Sequence, residues 1–410
     1  MLYTVVVTAT LVPASNETFT AHIQSIAAGG SGVTRLNGKT VFADFTAPGD
    51  FARLRITKDH KTWAEAELIE VIKPSPERIS PLCDLYSRCG GCNLQHLNYK
   101  AQLNAKTEIL LQAFSRIGGI KVPEIKCRES EPFEYRNRFQ FHSLAVGTGT
   151  GGFGLGFKER KSSDVVMLGD CPVACKPIRN ALRHGTFDNF IESPMKSRFN
   201  VYAHGDTFLV EGRNEKGRVS LLNKEISLDV KLFFQSNARM LESLITDLTE
   251  IAKSADPKLP FADIYCGVGT FAAFLHEGFC ETVLVEENKN ALLLARENLS
   301  KSGMASDGKA HSFFALTDTA WVKKLNQQGK KQKWGFMVLD PPRDGLSAPF
   351  ASWLVQNGPQ VLAYVSCNPA TLARDSRILL NGAYTLSQLS MYDFYPQTAH
   401  IESLALFLRV

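Results

Sequence analysis

The chain has 410 residues, of which 44% are hydrophobic and 21% are charged, so it can bury a sizeable core and form about two or three globular domains. Its 46 Lys and Arg residues exceed its 41 Asp and Glu residues by a net charge of +5, which permits a local basic face for nucleic acid without requiring one. No apolar run reaches about 18 residues, so we expect no membrane partner.

The cysteines and the start of the chain indicate the cellular setting. Nine cysteines at uneven spacing favour metal binding and catalysis over a disulfide framework. The apolar start from Met1 to Pro13 has no basic residue before it and no small-residue cleavage site. We therefore interpret it as a strand rather than a signal peptide, and expect a cytoplasmic protein.

Residues 1–74 are predicted to form a small OB-type β-barrel that binds RNA. Alternating apolar and polar residues separated by glycine turns predict five short strands, which include Phe19 to Ile26, Thr40 to Phe45, Phe51 to Lys58 and Ala64 to Ile72. Basic residues would line one side of it, namely Lys39, Arg53, Arg55, Lys58, His60 and Lys61. The Gly-Gly-x-Gly-Val-x-Arg stretch, the Val-Phe-Ala strand and Pro-Gly-Asp resemble the TRAM domain, an RNA-binding OB variant.

Three cysteines within ten residues, Cys83, Cys89 and Cys92, predict a metal site. A tight turn with glycines between the last two would wrap their thiolates around one centre. A closed site needs a fourth ligand, for which Cys171 is the best candidate, ahead of Cys175 and Cys127. Zinc and an iron–sulfur cluster both accept four thiolates, so the spacing leaves the metal open.

Residues 75–229 are predicted to form a small α+β central domain that carries this site. Apolar residues at helical spacing predict a core-facing helix over 98–117, which we expect to pack on the catalytic domain. As a strand, residues 135–142 would place Arg136 and Arg138 together on a polar face. That face can meet phosphates and base edges, although an ordinary half-buried strand explains the same pattern.

From residue 230 to 410, strands and helices alternate as in a doubly wound α/β domain. Ser236 or Asn237 is expected to cap a helix over about 238–254. Further strands are predicted at Phe261 to Tyr265, Thr282 to Val285, His311 to Leu316, Phe336 to Leu339, Val361 to Val365, Tyr384 to Tyr392 and Ser403 to Leu408.

A nucleotide-type ligand site is predicted where the first strand of this domain ends. The loop Cys266-Gly-Val-Gly-Thr opens a helix, and Glu286 ends the next strand about twenty residues on, where it can accept both ribose hydroxyls. A dinucleotide and S-adenosylmethionine both suit this arrangement. The third glycine of the dinucleotide fingerprint is missing, which favours the methyl donor. Asp340, before two prolines, would form a rigid exposed corner at the same sheet edge.

Cys367 follows the predicted strand that ends at Val365, and it precedes an Asn-Pro helix start. The positive end of that helix is expected to favour its thiolate. A buried, unreactive cysteine is the simpler reading of this stretch by itself.

Four motifs in order resemble the S-adenosylmethionine-dependent RNA uracil-5-methyltransferases. They are Asp263-Ile-Tyr-Cys-Gly-Val-Gly, Asp340-Pro-Pro-Arg-Asp-Gly, Ser366-Cys-Asn-Pro-Ala-Thr and His400-Ile-Glu-Ser-Leu-Ala-Leu. The resemblance spans the whole chain and is greatest to the TRAM-containing, 4Fe–4S branch that modifies 23S ribosomal RNA. It implies a Rossmann-like class I methyltransferase domain behind the barrel and the central domain. Thr270 and Thr317-Asp318 depart from residues that many members carry, so the adenine contacts are left unassigned.

The resemblance also implies roles for individual residues. Cys367 would be the nucleophile that adds to carbon 6 of uracil, and Glu402 the base that removes the carbon 5 proton. The methyl donor would be held by Gln235, Tyr265, Glu286 and Asp340. A 4Fe–4S cluster would be held by Cys83, Cys89, Cys92 and Cys171, while Arg136 and Arg138 would contact RNA.

The resulting hypothesis is a monomeric enzyme that makes 5-methyluridine in structured RNA, with ribosomal RNA favoured over transfer RNA. A transfer-RNA uracil-5-methyltransferase on the same scaffold is the nearest alternative. A catalytically silent RNA-binding assembly factor is a third, which the presence of both Cys367 and Glu402 disfavours.

Overall fold

The computed structural model describes residues 18–122, 124–146, 152–185, 187, 198–302, 308–329 and 332–410. The strand predicted within Met1 to Pro13 lies outside these residues. The chain divides into two compact units, one of residues 1–105 with 397–399 and the other of residues 106–396 with 400–410. None of the helices described is long and apolar enough to cross a membrane. The domain boundaries expected after residues 74 and 229 stay predictions.

The first unit contains a six-stranded sheet with the order β1-β5-β6-β4-β3-β2. Its strands are β1 (Thr18–His22), β2 (Ser25–Ile26), β3 (Gly32–Leu36), β4 (Lys39–Ala43), β5 (Phe51–Asp59) and β6 (Trp63–Lys73). Alternate residues of β4, β5 and β6 are buried in a small core that includes Val41, Leu54, Ile56 and Ala64. This alternation is what predicted the strands from the sequence.

Two details of this sheet differ from the prediction. The predicted strand from Phe19 to Ile26 is interrupted between β1 and β2, and β3 forms in a stretch for which no strand bounds were predicted. Gly29 and Gly30 in the turn before it both have positive φ. The chain beyond them pairs antiparallel with β4, from Gly32 opposite Ala43 to Leu36 opposite Lys39.

Four of the six basic residues expected to line one side of this barrel have acidic neighbours, and their role in RNA binding stays a prediction. Four of its cations form ion pairs: Lys39 with Asp59 at 2.5 Å, Arg53 with Glu70 at 2.8 Å, Lys58 with Glu65 at 3.2 Å, and Arg55 with Glu67. The spacing of basic residues on β5 could not reveal this, because their acidic partners come from another strand.

The predicted helix over 98–117 is observed as α1 (Tyr99–Ala113), which continues into a π-helical turn, Phe114–Gly118. Gly119 ends it with φ +66°. In the second unit this turn packs against helix α8, defined below, and Arg377 of that helix donates to the Ile117 carbonyl at 3.5 Å. This part of the helix therefore contacts α8, while the expected packing on a catalytic domain stays a prediction.

The second unit continues with two smaller β-structures. Its next elements are β7 (Lys126–Arg128), β8 (Arg138–Val146), β9 (Gly152–Lys158), β10 (Val165–Met167), α2 (Lys176–Arg183), β11 (Arg198–His204), β12 (Thr207–Val210), β13 (Lys216–Leu221) and β14 (Lys224–Asp229). One sheet has the order β10-β9-β8-β11-β12, and β13 and β14 form a separate antiparallel pair.

The remaining elements build the largest sheet. They are α3 (Ala238–Ala252), β15 (Phe261–Ile264), α4 (Thr270–Leu275), β16 (Glu281–Val285), α5 (Lys289–Lys301), β17 (Ala310–Phe314), α6 (Asp318–Gln328), β18 (Phe336–Leu339), α7 (Ala348–Asn357), β19 (Val361–Ser366), α8 (Pro369–Leu380), β20 (Tyr384–Tyr392) and β21 (Glu402–Arg409). The eight strands of the sheet have the order β17-β16-β15-β18-β19-β21-β20-β7.

This topology determines where a ligand can bind. Strands β15 to β19 are parallel, and their order reverses between β15 and β18, so the crevice at their carboxyl ends opens there. Strand β21 is antiparallel to β19, which brings its first residues to the same edge. Strand β7, which comes from the predicted central domain, unexpectedly joins the far edge beside β20.

Candidate active site

A cleft of about 970 Å³ lies at the carboxyl edge of the large sheet. The eight residues predicted to serve methyl transfer and RNA contact all line it: Arg136, Arg138, Gln235, Tyr265, Glu286, Asp340, Cys367 and Glu402. They come from segments up to 266 residues apart in the chain, counting from Arg136 to Glu402. The fold therefore gathers them in one cleft.

The glycine loop after β15 forms one end of this cleft. Tyr265 has φ +62° and its backbone N–H donates to the Val285 carbonyl at 2.8 Å, so the chain turns sharply at the strand end. Gly267 and Gly269 follow with φ +53° and +76°. A Cβ on Gly269 would lie 2.8 Å from the Cβ of Ala295, so α4 and α5 approach too closely there for any side chain.

Glu286 is held in place by this loop. Its Oε2 accepts from the Gly267 N–H at 3.0 Å, and its Oε1 accepts from the Asn288 N–H at 2.8 Å. Each carboxylate oxygen can accept more than one hydrogen bond, so both remain able to accept a hydroxyl from the cleft. This orientation suits the ribose contact predicted for this residue.

Gln235 contributes an acceptor that lacks a donor in the described part of the chain. Its side chain lines the cleft and its Oε1 is buried without a hydrogen-bond partner there. Two residues on, Asn237 caps α3 by accepting from the Met240 N–H at 3.2 Å, which identifies the cap between the two predicted candidates. A buried oxygen without a donor is costly, so a ligand amino group would satisfy it.

Tyr265 and Asp318, which both line the cleft, are joined by a hydrogen bond. The Tyr265 hydroxyl donates to Asp318 Oδ2 at 2.8 Å, and the Ser347 N–H donates to the same oxygen at 3.1 Å. Burial raises the pKa of Tyr265, and Asp318 raises it further, so this phenol stays protonated. The hydroxyl of Tyr265 is therefore engaged by Asp318. Tyr265 offers the cleft its ring rather than a free hydroxyl.

Two carboxyl groups belong to the neighbouring strands β15 and β18: Asp263 lies in β15, and Asp340, which lines the cleft, directly follows β18. Burial raises the pKa of Asp263 to about 8 and that of Asp340 to about 7. Asp263 Oδ2 accepts from the Ala272 N–H at 3.0 Å, while its Oδ1 is buried without a partner among the residues described. Asp340 was expected at an exposed corner, but it is only partly exposed, and the loss of water around it raises its pKa.

Cys367 is the first residue beyond β19, next to Asn368, which caps α8 through a bond from the Ala370 N–H at 3.0 Å. Burial, Glu402 and Asp340 together raise the pKa of the Cys367 thiol to about 11, while Arg343 opposes them. The helix was expected to favour the thiolate. In the free protein, burial and two carboxyl groups shift the pKa in the opposite direction, and the helix contribution stays a prediction.

Glu402 is the first residue of β21 and is only 4% exposed. Burial raises its pKa well above the usual range, Asp340 raises it further, and Arg343 lowers it. The antiparallel register pairs Ser366 with Ser403, so one more step places Cys367 opposite Glu402. The sequence suggested both residues separately, but this juxtaposition follows only from the pairing of β19 with β21.

Arg343, Tyr395 and His400 are among the cleft residues that were not predicted to have a role. Arg343 is the cation that counters the carboxyl groups near Cys367 and Glu402. Burial lowers the pKa of His400 to about 4, helped by Arg343 and Arg136, so its imidazole is neutral at pH 7. Arg343 and His400 lie inside motifs identified from the sequence, but which side chains turn into the cleft depends on the fold.

Arg136 and Arg138 lie at the rim of the cleft. The guanidinium carbon of Arg136 lies 4.8 Å from the centre of the Phe139 ring, and Arg138 donates to the Leu232 carbonyl at 3.2 Å. Burial lowers the pKa of Arg138. The predicted alternation is observed, since Tyr135, Asn137, Phe139 and Phe141 are buried while the residues between them are not.

The cysteines predicted to hold metal fall into both units. Cys83, Cys89 and Cys92 belong to the first, where the Gly91 N–H points to Cys89 Sγ at 3.4 Å, and Cys171 is buried in the second. Within the described ranges, no three His, Cys, Asp or Glu side chains are gathered so as to hold a metal ion. The metal site therefore stays a prediction.

Comparison with known proteins gives consistent results over both halves of the chain. Residues 218–410 match the family described as tRNA (uracil-5-)-methyltransferase, and residues 15–69 match the TRAM domain. An RNA methyltransferase of Treponema denticola is 35% identical over 395 residues, which are 90% of this chain and 94% of that protein. The 23S rRNA (uracil(1939)-C(5))-methyltransferase RlmD of Photobacterium profundum is 30% identical over 93% of this chain and 91% of its own.

A solved structure has the same fold. The Pyrococcus abyssi tRNA (uracil-54, C5)-methyltransferase in complex with S-adenosyl-L-homocysteine matches 95% of this chain and all of its own, with a TM-score of 0.69 and 24% identity.

Proposed function

The chain belongs to the RNA uracil-5-methyltransferase family, and we propose that it methylates carbon 5 of a uridine in 23S ribosomal RNA through a covalent adduct with Cys367. It is thus an S-adenosylmethionine-dependent enzyme of the TRAM-containing type. The observation that carries the mechanism is the register that sets Cys367 opposite Glu402 at the edge of the sheet.

Carbon 5 of uracil is a weak nucleophile, and the proposed role of Cys367 is to activate it. Its thiolate forms a bond to carbon 6, and the displaced electron pair makes an enolate with density on carbon 5. Because the thiol has a pKa of about 11 in the free protein, little of it is ionised at neutral pH. A positive charge entering the cleft would lower that pKa, so reactivity would rise when the reactants bind.

S-adenosylmethionine supplies the electrophilic methyl group. Gln235 Oε1, which lacks a donor in the described structure, suits an amino group, and the oriented carboxylate of Glu286 suits ribose hydroxyls. Asp340 and the ring of Tyr265 line the cleft between them. These four residues are proposed to hold the methyl donor.

Glu402 is proposed to complete the reaction as the base. After carbon 5 is methylated it still carries its proton, which must leave before the adduct can open. The Glu402 carboxylate takes that proton, the electron pair re-forms the double bond between carbons 5 and 6, and the bond to Cys367 breaks to return the thiolate. Burial makes Glu402 a stronger base than an exposed carboxylate, which suits this step.

Ribosomal RNA is proposed as the substrate because relatives named for 23S rRNA match more than nine-tenths of this chain. Transfer RNA is the second candidate, since the solved structure of the same fold is a transfer-RNA enzyme. In either RNA the target base must leave its stack to reach Cys367, with Arg136 and Arg138 at the rim to meet the backbone.

Cys83, Cys89, Cys92 and Cys171 are proposed to hold a 4Fe–4S cluster. Four thiolates complete the ligand set of such a cluster, and an N–H directed at a cysteine sulfur, as from Gly91 to Cys89, is suited to stabilise a thiolate. A fully ligated cluster leaves no open iron, so its role would be structural.

The test uses RNA that contains 5-fluorouridine, whose fluorine cannot be removed as a proton. Wild-type protein with S-adenosylmethionine should form an RNA complex that survives denaturant, and Cys367→Ala should form none. Glu402→Gln should accumulate the complex even on ordinary uridine RNA, because release is blocked. Cys280→Ala, at an exposed cysteine outside the cleft, is the matched control and should behave as wild type. Full methylation by Cys367→Ala would refute the mechanism, and a preference for transfer-RNA over ribosomal-RNA transcripts would reassign the substrate.

A further inference from the structure

The segment between β20 and β21 carries Tyr395 into the cleft and leads to Glu402, yet it has no regular secondary structure. Within the second unit it begins at Asp393, directly after Tyr392. Tyr392 is the residue of β20 that pairs with Glu402. Any shift of Asp393 is therefore transmitted to the end of the hairpin where the proposed base lies.

Three consecutive backbone carbonyls of this segment are held by side chains from three different elements. Asn237 Nδ2 donates to the Phe394 carbonyl at 3.2 Å, Lys106 Nζ donates to the Tyr395 carbonyl at 3.0 Å, and the Tyr135 hydroxyl donates to the Pro396 carbonyl at 2.9 Å. Such carbonyls would otherwise need water or a β-partner. This arrangement is called the carbonyl clamp below.

Lys106 is the charged member of the clamp. It also donates to Asp393 Oδ1 at 2.5 Å, and both side chains are completely buried. Burial lowers the pKa of Lys106, although Asp393 counteracts this. A buried ion pair is weak evidence for stability, because well-packed neutral residues often stabilise a protein as much. A role in orienting the segment between β20 and β21 explains why the buried ion pair is present here.

The ring of Tyr395 shows what the clamp orients. Burial raises the pKa of Tyr395, and Glu402 and Cys367 both raise it further, so its phenol lies within their electrostatic reach. Its ring centre lies 5.7 Å from that of His400 at an angle of 69°. The segment thus sets one wall of the cleft as well as the position of Glu402.

We propose that Lys106, together with Asp393, is a positioning residue for methyl transfer, which acts through the carbonyl clamp to align Glu402 with Cys367. This inference rests on the proposed role of Glu402 as base. If it is correct, loss of the Lys106–Asp393 pair slows release of the RNA adduct more than it weakens cofactor binding. The reason is that Gln235 and Glu286, the proposed cofactor contacts, do not belong to the segment.

The test is the double substitution Lys106→Met/Asp393→Asn, which removes both charges, nearly keeps the volumes and leaves no unpaired buried charge. A misplacement of about 1 Å at a reacting group can cost about a hundredfold in rate. We expect turnover to fall about 10- to 100-fold, the Kd for S-adenosylmethionine to stay within about twofold, and the denaturant-stable RNA complex to accumulate on ordinary uridine RNA. Lys106→Arg should recover part of the turnover by restoring the donor and the charge.

Lys301→Met/Glu297→Gln is the control at a more exposed pair, since Lys301 also bridges a carboxylate and a second oxygen, Ser227 Oγ at 2.8 Å, and lines no part of the cleft. It should leave turnover unchanged. A Lys106→Met/Asp393→Asn protein with wild-type turnover would overturn the proposal, as would one that loses turnover only in proportion to cofactor affinity or melting temperature. If Glu402→Gln itself fails to accumulate the complex, the assignment of the base fails instead, so the two failures are distinguishable.

Discussion

Replacing Gly269 by alanine should damage the methyl-donor site, and the magnitude can be derived from its surroundings. Its φ of +76° costs a residue with a side chain about 1–2 kcal/mol. The added Cβ would lie 2.8 Å from the Cβ and 2.9 Å from the Cα of Ala295, a backbone atom that cannot move aside alone. Such overpacking adds about 1–3 kcal/mol, so the total loss of stability is about 2–5 kcal/mol.

Gly267 provides the control two residues earlier. Its φ is +53°, but an added Cβ would meet nothing within 4 Å, so Gly267→Ala should lose only the conformational part, about 1–2 kcal/mol. Thermal unfolding should show the Gly269→Ala protein melting below Gly267→Ala by about 2 °C or more for each kcal/mol of difference. Calorimetric titration with S-adenosylmethionine should also show weaker binding for Gly269→Ala, because α4 must shift from α5. Equal melting temperatures for the two variants would refute the argument from close packing.

Three further predictions follow from the site. Because the pKa of Cys367 is about 11, its alkylation by iodoacetamide in the free protein should accelerate about tenfold per pH unit between about pH 7 and 10. Peptide mass spectrometry measures this rate, and a plateau below about pH 9 would contradict the prediction. Gln235→Leu should raise the Kd for S-adenosylmethionine about 10- to 100-fold in a calorimetric titration, since an acceptor for a charged donor is lost, and an unchanged Kd would remove Gln235 from the site. Anaerobically purified protein should be brown with about four irons per chain. Cys171→Ser should lose the colour, and the control Cys175→Ser should keep it. Colourless, zinc-loaded and active protein would exclude the cluster.

Much of the C-terminal half was predictable because the central strands of its sheet, β15, β18 and β19, are buried on both faces. Phe336–Leu339 and Tyr384–Tyr392 have the predicted bounds, and other strands of the large sheet differ by a residue or two. Apolar runs between helices are a strong signal for a parallel sheet. Strand β7 was missed because three exposed residues, Lys126–Arg128, carry no such pattern and form a strand only by pairing with β20.

Electrostatic properties were the least predictable from the sequence. The acidic partners of four barrel cations, which come from other strands, were not foreseen. Cys367 was expected to be a thiolate from its local helix start, yet Glu402 and Asp340, from other strands, raise its pKa. Coulombic effects depend on distance in space, which the order of residues along the chain does not specify.

The sequence by itself determined which residues could carry the chemistry, because motifs at strand ends, a glycine loop and a Ser-Cys-Asn-Pro turn each have a local physical cause. It also determined the α/β class, since hydrophobic periodicity is a local property. Only the tertiary structure decided that Cys367 lies opposite Glu402, that Gln235 presents a buried acceptor to the same cleft, and that a buried pair at Lys106 and Asp393 holds the segment between β20 and β21. Strand pairing and burial bring these groups together from distant parts of the chain, and no local pattern encodes that.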